Sequence, residues 1–488
     1  MLLFVLIFFP LFAAFVALLA KAEAVKKIAL AASIIELGLS VAAYQSAASG
    51  GAMDLWSVNL PWIRSLGIQF HAGLDGISLL MVLLTNLLVP FIIYSSFDKN
   101  YARPHAFYFL VLAMQMALIG VFTALDGFLF YTFWELALLP IYFICLLWGG
   151  ENRSKITFKF FLYTLSGSLL MLAALIYVYL HTPANHSFDI NALYDAGKNL
   201  AEHEQNWVFG GMFIAFGIKM PVFPFHTWQP DTYAVAPTQG TMLLSGIMLK
   251  MGTYGLIRWL IPLVPRGVYY WSDTVVTLAI FGIVYASCIA IFQKDMKRLI
   301  AYSSIAHVGL IAAGIMTTKT IGLQGSLVQM FSHGINVVGL FFVCDIISNR
   351  TGAAEMRRLG GIRSLAPDFA VLFLVILLGS VALPLTNGFV GEFLLLNSLF
   401  QFQASCALFA GLTIILGAVY MLRSYQTVML GETSAQSASF APLTVVEKTT
   451  LVLLAALILF FGIFPNIILQ ITEPAVQLIM QKYKAGLS

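Results

Sequence analysis

Long apolar runs recur along the whole chain, each closed by a short polar or basic segment. About 20 apolar residues in a helix cross the ~30 Å hydrocarbon core of a bilayer. Fourteen stretches qualify: 2–20, 28–46, 74–96, 105–123, 127–148, 157–180, 207–225, 240–262, 274–292, 298–316, 321–347, 369–400, 404–422 and 448–470. The pattern predicts an all-α polytopic membrane protein with about 14 transmembrane helices. The first run, MLLFVLIFFPLFAAFVALLA, has no basic start and no small-residue cleavage site. It is expected to be a retained span rather than a signal peptide. The longest polar insert, roughly 181–206, is too short to fold alone.

Two runs depart from a plain helix. A straight helix over 369–400 would be about 48 Å long at ~1.5 Å per residue, more than the apolar core. Its interior reads LPLTNGF, with Pro384, Asn387 and Gly388 together. Proline removes a backbone donor and collides with the preceding turn, so two half-helices with an unwound link are expected. The seventh span repeats the theme at Lys219-Met220-Pro221, with Pro224 following. An ordinary proline kink is the plainer alternative at both places. Paired interruptions in corresponding spans point to internal repeats and a site near the midplane. The expected organisation is therefore N-terminal helices TM1–3 over 1–100, a first five-helix repeat TM4–8 over 101–262, a second, inverted repeat TM9–13 over 263–430, and a C-terminal helix TM14 over 431–488. Helices 7 and 12 are the broken ones.

Composition agrees with the pattern: 60% of residues are hydrophobic and 10% charged, where a soluble protein carries about 25% charged. Lysine and arginine divide unevenly between alternate loops, seventeen on one side against six on the other. With an even span count, the positive-inside rule puts both termini on the outer side. Net charge is +4, which gives no reason to invoke nucleic acid. Cys145, Cys288, Cys344 and Cys406 lie far apart in apolar segments with no Cys-x-x-Cys, so they are expected to be buried small hydrophobes and not ligands of a cluster or zinc. Neither a phosphate-binding lysine loop nor a Gly-x-Gly-x-x-Gly after a strand occurs. Nucleotide binding and redox chemistry find no support in this polypeptide.

Chemistry enters with four ionisable residues inside apolar runs: Glu135, Lys219, Lys250 and Glu392. Each costs roughly 2.5–3.5 kcal/mol to insert, and the usual use that offsets such a cost is moving a proton or an ion. Lys219 and Lys250 sit too deep to reach either interface. A lysine so placed switches between charged and neutral when its counter-ion moves, and Glu135 is the natural counter-ion of Lys219. The bland reading is a static buried ion pair that fixes helix packing. Glu392, just after the break in span 12, is either a last station before the outer side or a solvated acid at a helix end. His307 and His333 lie within spans and titrate near neutrality; each is either a relay between Lys250 and Glu392 or a neutral core residue. His226 and Asp231, in HTWQPDTY, lie just inside the basic face and line a proton intake or serve a plain loop. His71, His105, His181, His186 and His203 receive no role. No two histidines stand at i, i+4, which argues against a histidine metal site.

At these residues the sequence resembles the antiporter-like subunits of respiratory complex I, over nearly the whole chain. The pieces that carry the resemblance are FWELALLPIYF around Glu135, GIKMPVFPFHTWQPD around Lys219, SGIMLKMGTYGLIR around Lys250, KDMKRLIAYSSIAHVG around His307 and LPLTNGFVGEF around Glu392. Two features select the chain M branch of that family: Glu392 stands where the L and N branches and the Mrp antiporters carry lysine, and the chain ends soon after span 14 without a long lateral helix. Two departures stand out. The family's Pro-Gly-Thr at the span 12 break is Pro384-Leu385-Thr386 here, and its Asp-Ala-His is Asp231-Thr232-Tyr233, which removes any proton-intake role for that histidine position.

The resemblance implies a proton-translocating membrane-arm subunit of NADH-quinone oxidoreductase, hence part of an enzyme. It implies no cofactor in this chain, with NAD, FMN, iron–sulfur clusters and quinone in partner subunits. Neighbours would be chain L and chain N type subunits and membrane lipids, in a bacterial cytoplasmic (inner) membrane. In the implied cycle, a charge shift pulls Glu135 from Lys219, whose proton passes to Lys250 and onward through His333 to Glu392. The rivals are an Mrp-type cation/proton antiporter or membrane hydrogenase subunit, and a purely structural membrane-arm scaffold. A self-contained quinone reductase founders on the missing cofactor ligands.

Overall fold

The computed structural model describes residues 2–48, 56–183, 186–353 and 355–488. The chain is a bundle of helices, because within hydrocarbon every backbone N–H and C=O needs a partner from its own segment. In order these are α1 Leu2–Leu19, α2 Ala22–Ala48, α3 Gly76–Tyr94, α4 Pro104–Thr123, α5 Gly127–Leu136, α6 Leu138–Trp148, α7 Arg153–Leu180 and α8 Ile190–Lys198. There follow α9 Glu202–Lys219, α10 Gln229–Val235, α11 Thr238–Leu243, α12 Leu249–Gly255, α13 Ile261–Leu263, α14 Pro265–Phe292, α15 Met296–Met316 and α16 Thr320–Thr351. The chain closes with α17 Ile362–Leu365, α18 Pro367–Ser380, α19 Asn387–Phe402, α20 Ala404–Met429, α21 Val445–Ile463 and α22 Asn466–Ala485. Among the described residues, 11 helices are long and apolar enough to cross a membrane, α5 and α6 counting as one.

Four features had no counterpart in the hydropathy pattern. Strands β1 Ser57–Ile63 and β2 Ile68–Gly73 pair antiparallel between α2 and α3; they are too short and too polar to register as a span. Helix α8 lies within the polar insert, capped by Asp189, whose side chain also meets His71 Nδ1 at 2.7 Å. Burial works against the Asp189 carboxylate, yet the His71 hydrogen bond and the α8 amides hold it below the usual carboxylate range. Helix α22 follows α21, so 431–488 carries more than one helix. The fifth apolar run divides at Ala137, where the Pro140 ring opposes the Leu136 carbonyl four residues back.

The expectation that all four cysteines are buried fails for two of them. Cys145 and Cys344 are buried, but Cys288 is exposed and Cys406 half-exposed. Both of these lie on helices with a broad outward face, α14 and α20, and an apolar environment outside the chain suits a thiol as well as one within it.

At the prolines the helices stop. Helix α9 ends at Lys219, one residue before the position that Pro221 disfavours for helix, and helix resumes at Gln229. Helix α18 ends at Ser380 and α19 starts at Asn387. In that link Leu385 stands at φ 75° and Ala382 at φ 58°. A side chain in this left-handed region costs roughly 1–2 kcal/mol, which explains why glycine suits the middle of a Pro-x-Thr turn at this place. Leu385 is also 69% exposed, so its side chain contributes little packing. Leu385→Gly is therefore expected to stabilise the protein, by up to about 1 kcal/mol once the added chain entropy of glycine is counted. A lower unfolding temperature for the variant in detergent would contradict this account of the turn.

Candidate functional site

The middle of the bundle holds a continuous polar line. Around Lys250 the helix loosens into wider turns at Leu244–Met248 and Leu256–Leu260, a form that occurs at functional positions more than elsewhere. The wide turn leaves the Ser245 carbonyl in reach, and Lys250 Nζ donates to it at 2.6 Å. The same Nζ lies 2.9 Å from His333 Nδ1 on α16. Lys250 is 1% exposed, and among the described residues no carboxylate pairs with it.

From His333 the line continues. Its ring centroid is 5.9 Å from that of His307 on α15, and His307 Nδ1 lies 3.0 Å from Glu392 Oε1. That distance suits an ion pair, but the angle leaves Nδ1 without an aligned hydrogen bond. Gln329 Nε2 on α16 donates to the same carboxylate oxygen at 3.3 Å. Glycine at 391 makes this approach possible, since a Cβ there would fall 2.4 Å from Gln329 Oε1 and 2.9 Å from its Cα. Glu392 is buried, not a solvated acid at a helix end. A polar cavity of about 10 Å³ sits beside both histidines, lined also by Ser303, Ser304, Gln329 and Asn336. That is room for about one water.

The other half of the set is looser. Lys219, the last residue of α9, is buried, and its Nζ lies 5.3 Å from the Trp134 ring centroid, a favourable cation–π placement. Glu135 is half-buried at the end of α5, and its Oε1 lacks a hydrogen-bond partner. No ion pair joins it to Lys219 among the described residues, although its charge reaches the ammonium. Helices α9 and α12 touch through Gly252, where a Cβ would fall 2.6 Å from the Phe216 carbonyl oxygen. This contact brings the two lysine-bearing helices together without a direct bond between the lysines.

His226 and Asp231 stand apart from that line. His226 is buried, with Nδ1 unpartnered, its ring against Phe223 and Tyr285. Asp231 is clamped by Arg298 at 2.9 Å and Lys159 at 3.4 Å. Lys159 also donates to the Thr227 carbonyl at 3.1 Å, which ties α7 to the 220–228 link.

Further buried charges without a counterpart in the sequence analysis include Glu36 on α2, Asp345 on α16 and Arg258 in the second wide turn. Asp345 accepts from Lys99 at 2.5 Å and from Thr238 at 2.6 Å, and Arg258 pairs with Asp75. Each was visible as a charged letter in an apolar run. Asp345 and Arg258 lie near the ends of their runs, where a charge reads as interfacial.

Residues 124–417 match the family described as NADH:quinone oxidoreductase/Mrp antiporter, TM. The chain is 41% identical to NADH-quinone oxidoreductase subunit M of Rickettsia bellii over 425 residues, 86% of this chain and 85% of that protein. It is 36% identical to F(420)H(2) dehydrogenase subunit M of Methanosarcina mazei over 447 residues, 90% of this chain and 89% of the other. Its structure resembles a chain of respiratory complex I from Thermus thermophilus with a TM-score of 0.91 at 29% identity, over 99% of this chain and 100% of that one.

A charge retained for packing and a charge retained for chemistry respond oppositely to removal. Lys250 has two hydrogen-bonding neighbours but no counter-ion, so an apolar side chain of similar length relieves more desolvation than it forfeits. Lys250→Met is expected to unfold at the wild-type temperature or above it, by up to a few kcal/mol of added stability. A marked drop in unfolding temperature would assign Lys250 to packing.

Proposed function

The chain belongs to the membrane-subunit family shared by NADH-quinone oxidoreductase and Mrp antiporters, among the subunit M sequences, and on that premise we propose that it carries protons across the membrane through Glu135, Lys219, Lys250, His333, His307 and Glu392. The observation that carries this reading is the run of close contacts from Lys250 through the two histidines to Glu392, contributed by four separate helix segments. Proton transfer needs donor and acceptor within hydrogen-bond reach or one water apart. The 2.9 Å and 3.0 Å contacts and the cavity between them meet that requirement.

In this reading Glu135 is the input. When a charge shift in a neighbouring subunit draws its carboxylate away, the Lys219 ammonium loses the countercharge that Glu135 supplies and gives up its proton. Lys250, as a neutral amine, accepts it. Lys250 then passes a proton to His333 Nδ1, while a proton leaves the opposite ring nitrogen, so the ring is neutral before and after. His307 and Glu392 take the proton on towards the outer side. Lys219 is recharged from the basic face past His226; Asp231, held by two cations, keeps that loop in place and does not itself shuttle.

Electrons enter elsewhere: NAD, FMN, iron–sulfur clusters and quinone belong to partner subunits, and quinone reduction supplies the driving charge shift. The similarity to a subunit of F(420)H(2) dehydrogenase supports this division of labour, since that relative's name carries a different electron donor. Partners are further membrane-arm subunits of the chain L and chain N types, in a bacterial inner membrane with both termini outside. In this reading the chain crosses the membrane fourteen times, as TM1–3, two inverted repeats over 101–262 and 263–430, and a C-terminal part, with the interrupted helices counted as crossings.

The test is Lys219→Ala in the assembled complex, with pumping and quinone reduction measured together. Loss of about a hundredfold or more in pumping is expected, the low end of what a positioned proton-transfer group supplies. Wild-type pumping would overturn the role of Lys219, and wild-type pumping after substitution of all four charged residues would favour a scaffold. Flux that follows sodium in vesicles would favour the antiporter.

A further inference from the structure

Glu36 is buried within the N-terminal helices, away from the proton line. On α2 it faces inward with Ser33 and Ser40, while Ile34 and Ile35 face out. Its exposure is 0%. No lysine, arginine or histidine pairs with it among the described residues, and Oε1 has no hydrogen-bond partner.

The elements packed around α2 are α1, α3 and α4. Helix α1 carries no titratable side chain, and α3 carries only Tyr94. Helix α4 carries His105 and Tyr108, engaged with the Ala20 carbonyl at 2.9 Å and Ser96 Oγ at 2.8 Å. On α2 itself, Glu23, Lys26 and Lys27 lie towards the helix start, the nearest of them nine residues or about 13 Å along the axis from Glu36, and Tyr44 lies about 12 Å the other way. Lys26 is already committed to the Phe97 carbonyl at 2.7 Å. The carboxyl therefore has no compensating charge.

Its polar neighbours are spoken for as well. Gln115 Nε2 on α4 donates to Asn86 Oδ1 on α3 at 2.7 Å. Asn86 Nδ2 donates to Ser40 Oγ at 2.7 Å, and the Ser40 hydroxyl donates to the Glu36 backbone carbonyl at 2.9 Å. Asn86 Nδ2 reaches Glu36 Oε2 only at 3.5 Å. Two acceptors remain without a donor, Glu36 Oε1 and Gln115 Oε1, both fully buried. The cluster lacks a hydrogen-bond donor and a positive charge, and a single proton supplies both. A metal cation fits poorly: among the described residues the cluster offers two free oxygens, Glu36 Oε1 and Gln115 Oε1, where a hard cation takes about six or more.

We propose that Glu36 is a proton-binding site, a carboxylic acid held by the Ser40–Asn86–Gln115 network of α2, α3 and α4. As a neutral acid it adds to the network joining α2, α3 and α4 an O–H donor that an ionised carboxylate lacks. Since α4 packs directly on α5, which bears Glu135, the bound proton also keeps a second negative charge away from the helix that carries the input carboxylate.

Infrared difference spectra of the assembled complex at neutral pH, wild type minus E36Q, read this site without reference to pumping. The expected difference is one carbonyl stretch of a protonated carboxylic acid that shifts in D2O and ignores the replacement of sodium by potassium. A pair of carboxylate bands, or bands that move with sodium, would overturn the proposal. Should E36Q fail to assemble, E36D is compared instead: a displaced acid band supports the site, and displaced carboxylate bands refute it.

Discussion

Polar groups inside a bilayer have no water to fall back on, so each must be satisfied by another part of the chain. Here the Lys250 side-chain nitrogen sets the terms. It draws a backbone carbonyl out of a widened turn and a histidine from α16. That histidine stands beside a second one on α15, which lies against a carboxylate on α19. Four helix segments are thus registered against one another by the same contacts that we propose pass protons. Mutational costs along this line will mix stability and transport, which is why an isosteric apolar replacement at Lys250 is more informative than a truncation.

The interrupted helices follow from the same constraint. A break frees carbonyls that then need donors. Asn336 Nδ2 on α16 donates at 2.9 Å to the Gly379 carbonyl, which the end of α18 frees, while Ser332 Oγ donates to the Asn387 carbonyl in the first turn of α19 at 2.9 Å and ties α16 to the far side of the gap. At the other break the Trp228 indole N–H covers the Ile218 carbonyl at 2.9 Å. The unwound backbone is tolerated because a neighbouring polar side chain replaces the lost turn. Ser332 and Asn336 flank His333 on one helix, so the groups that support the break and the group that meets Lys250 share one element.

Much of this was legible in the letters. Apolar run length placed the long helices, and Pro221 and Pro384 marked where α9 and α18 end. Charged letters in apolar runs singled out Lys219, Lys250, Glu135 and Glu392, and the geometry brings Lys250 and Glu392 onto one line with both predicted histidines. Three things were not legible, for physical reasons. The Ala137 division depends on a proline, Pro140, that the hydropathy of the run absorbs without a gap. The hairpin of β1 and β2 is fixed by pairing, not by hydropathy. The order His333 then His307 depends on how α15 and α16 rotate against each other, which no spacing within either helix specifies. Glu36 was available to the same test as Glu135, but its run also holds serines that dilute the contrast.

The two ends of the set differ in how firmly they are held, and the difference bears on direction. From Lys250 to Glu392 every group is buried and within contact of the next. At the other end Glu135 is half-buried with an unpartnered oxygen, at the junction of two short helices, and Lys219 rests on an aromatic face without a close carboxylate. Leu139, Phe143 and Leu147 continue the Glu135 side of the helix at intervals of four and are exposed, so this edge faces whatever packs outside the chain. Moving Glu135 leaves an oxygen that already lacks a partner, whereas moving Glu392 gives up the Gln329 hydrogen bond and the His307 contact. On the proposed reading, a perturbation arriving from outside the chain therefore acts first on the Glu135–Lys219 end, and the Lys250–Glu392 end responds by exchanging protons with its frame in place.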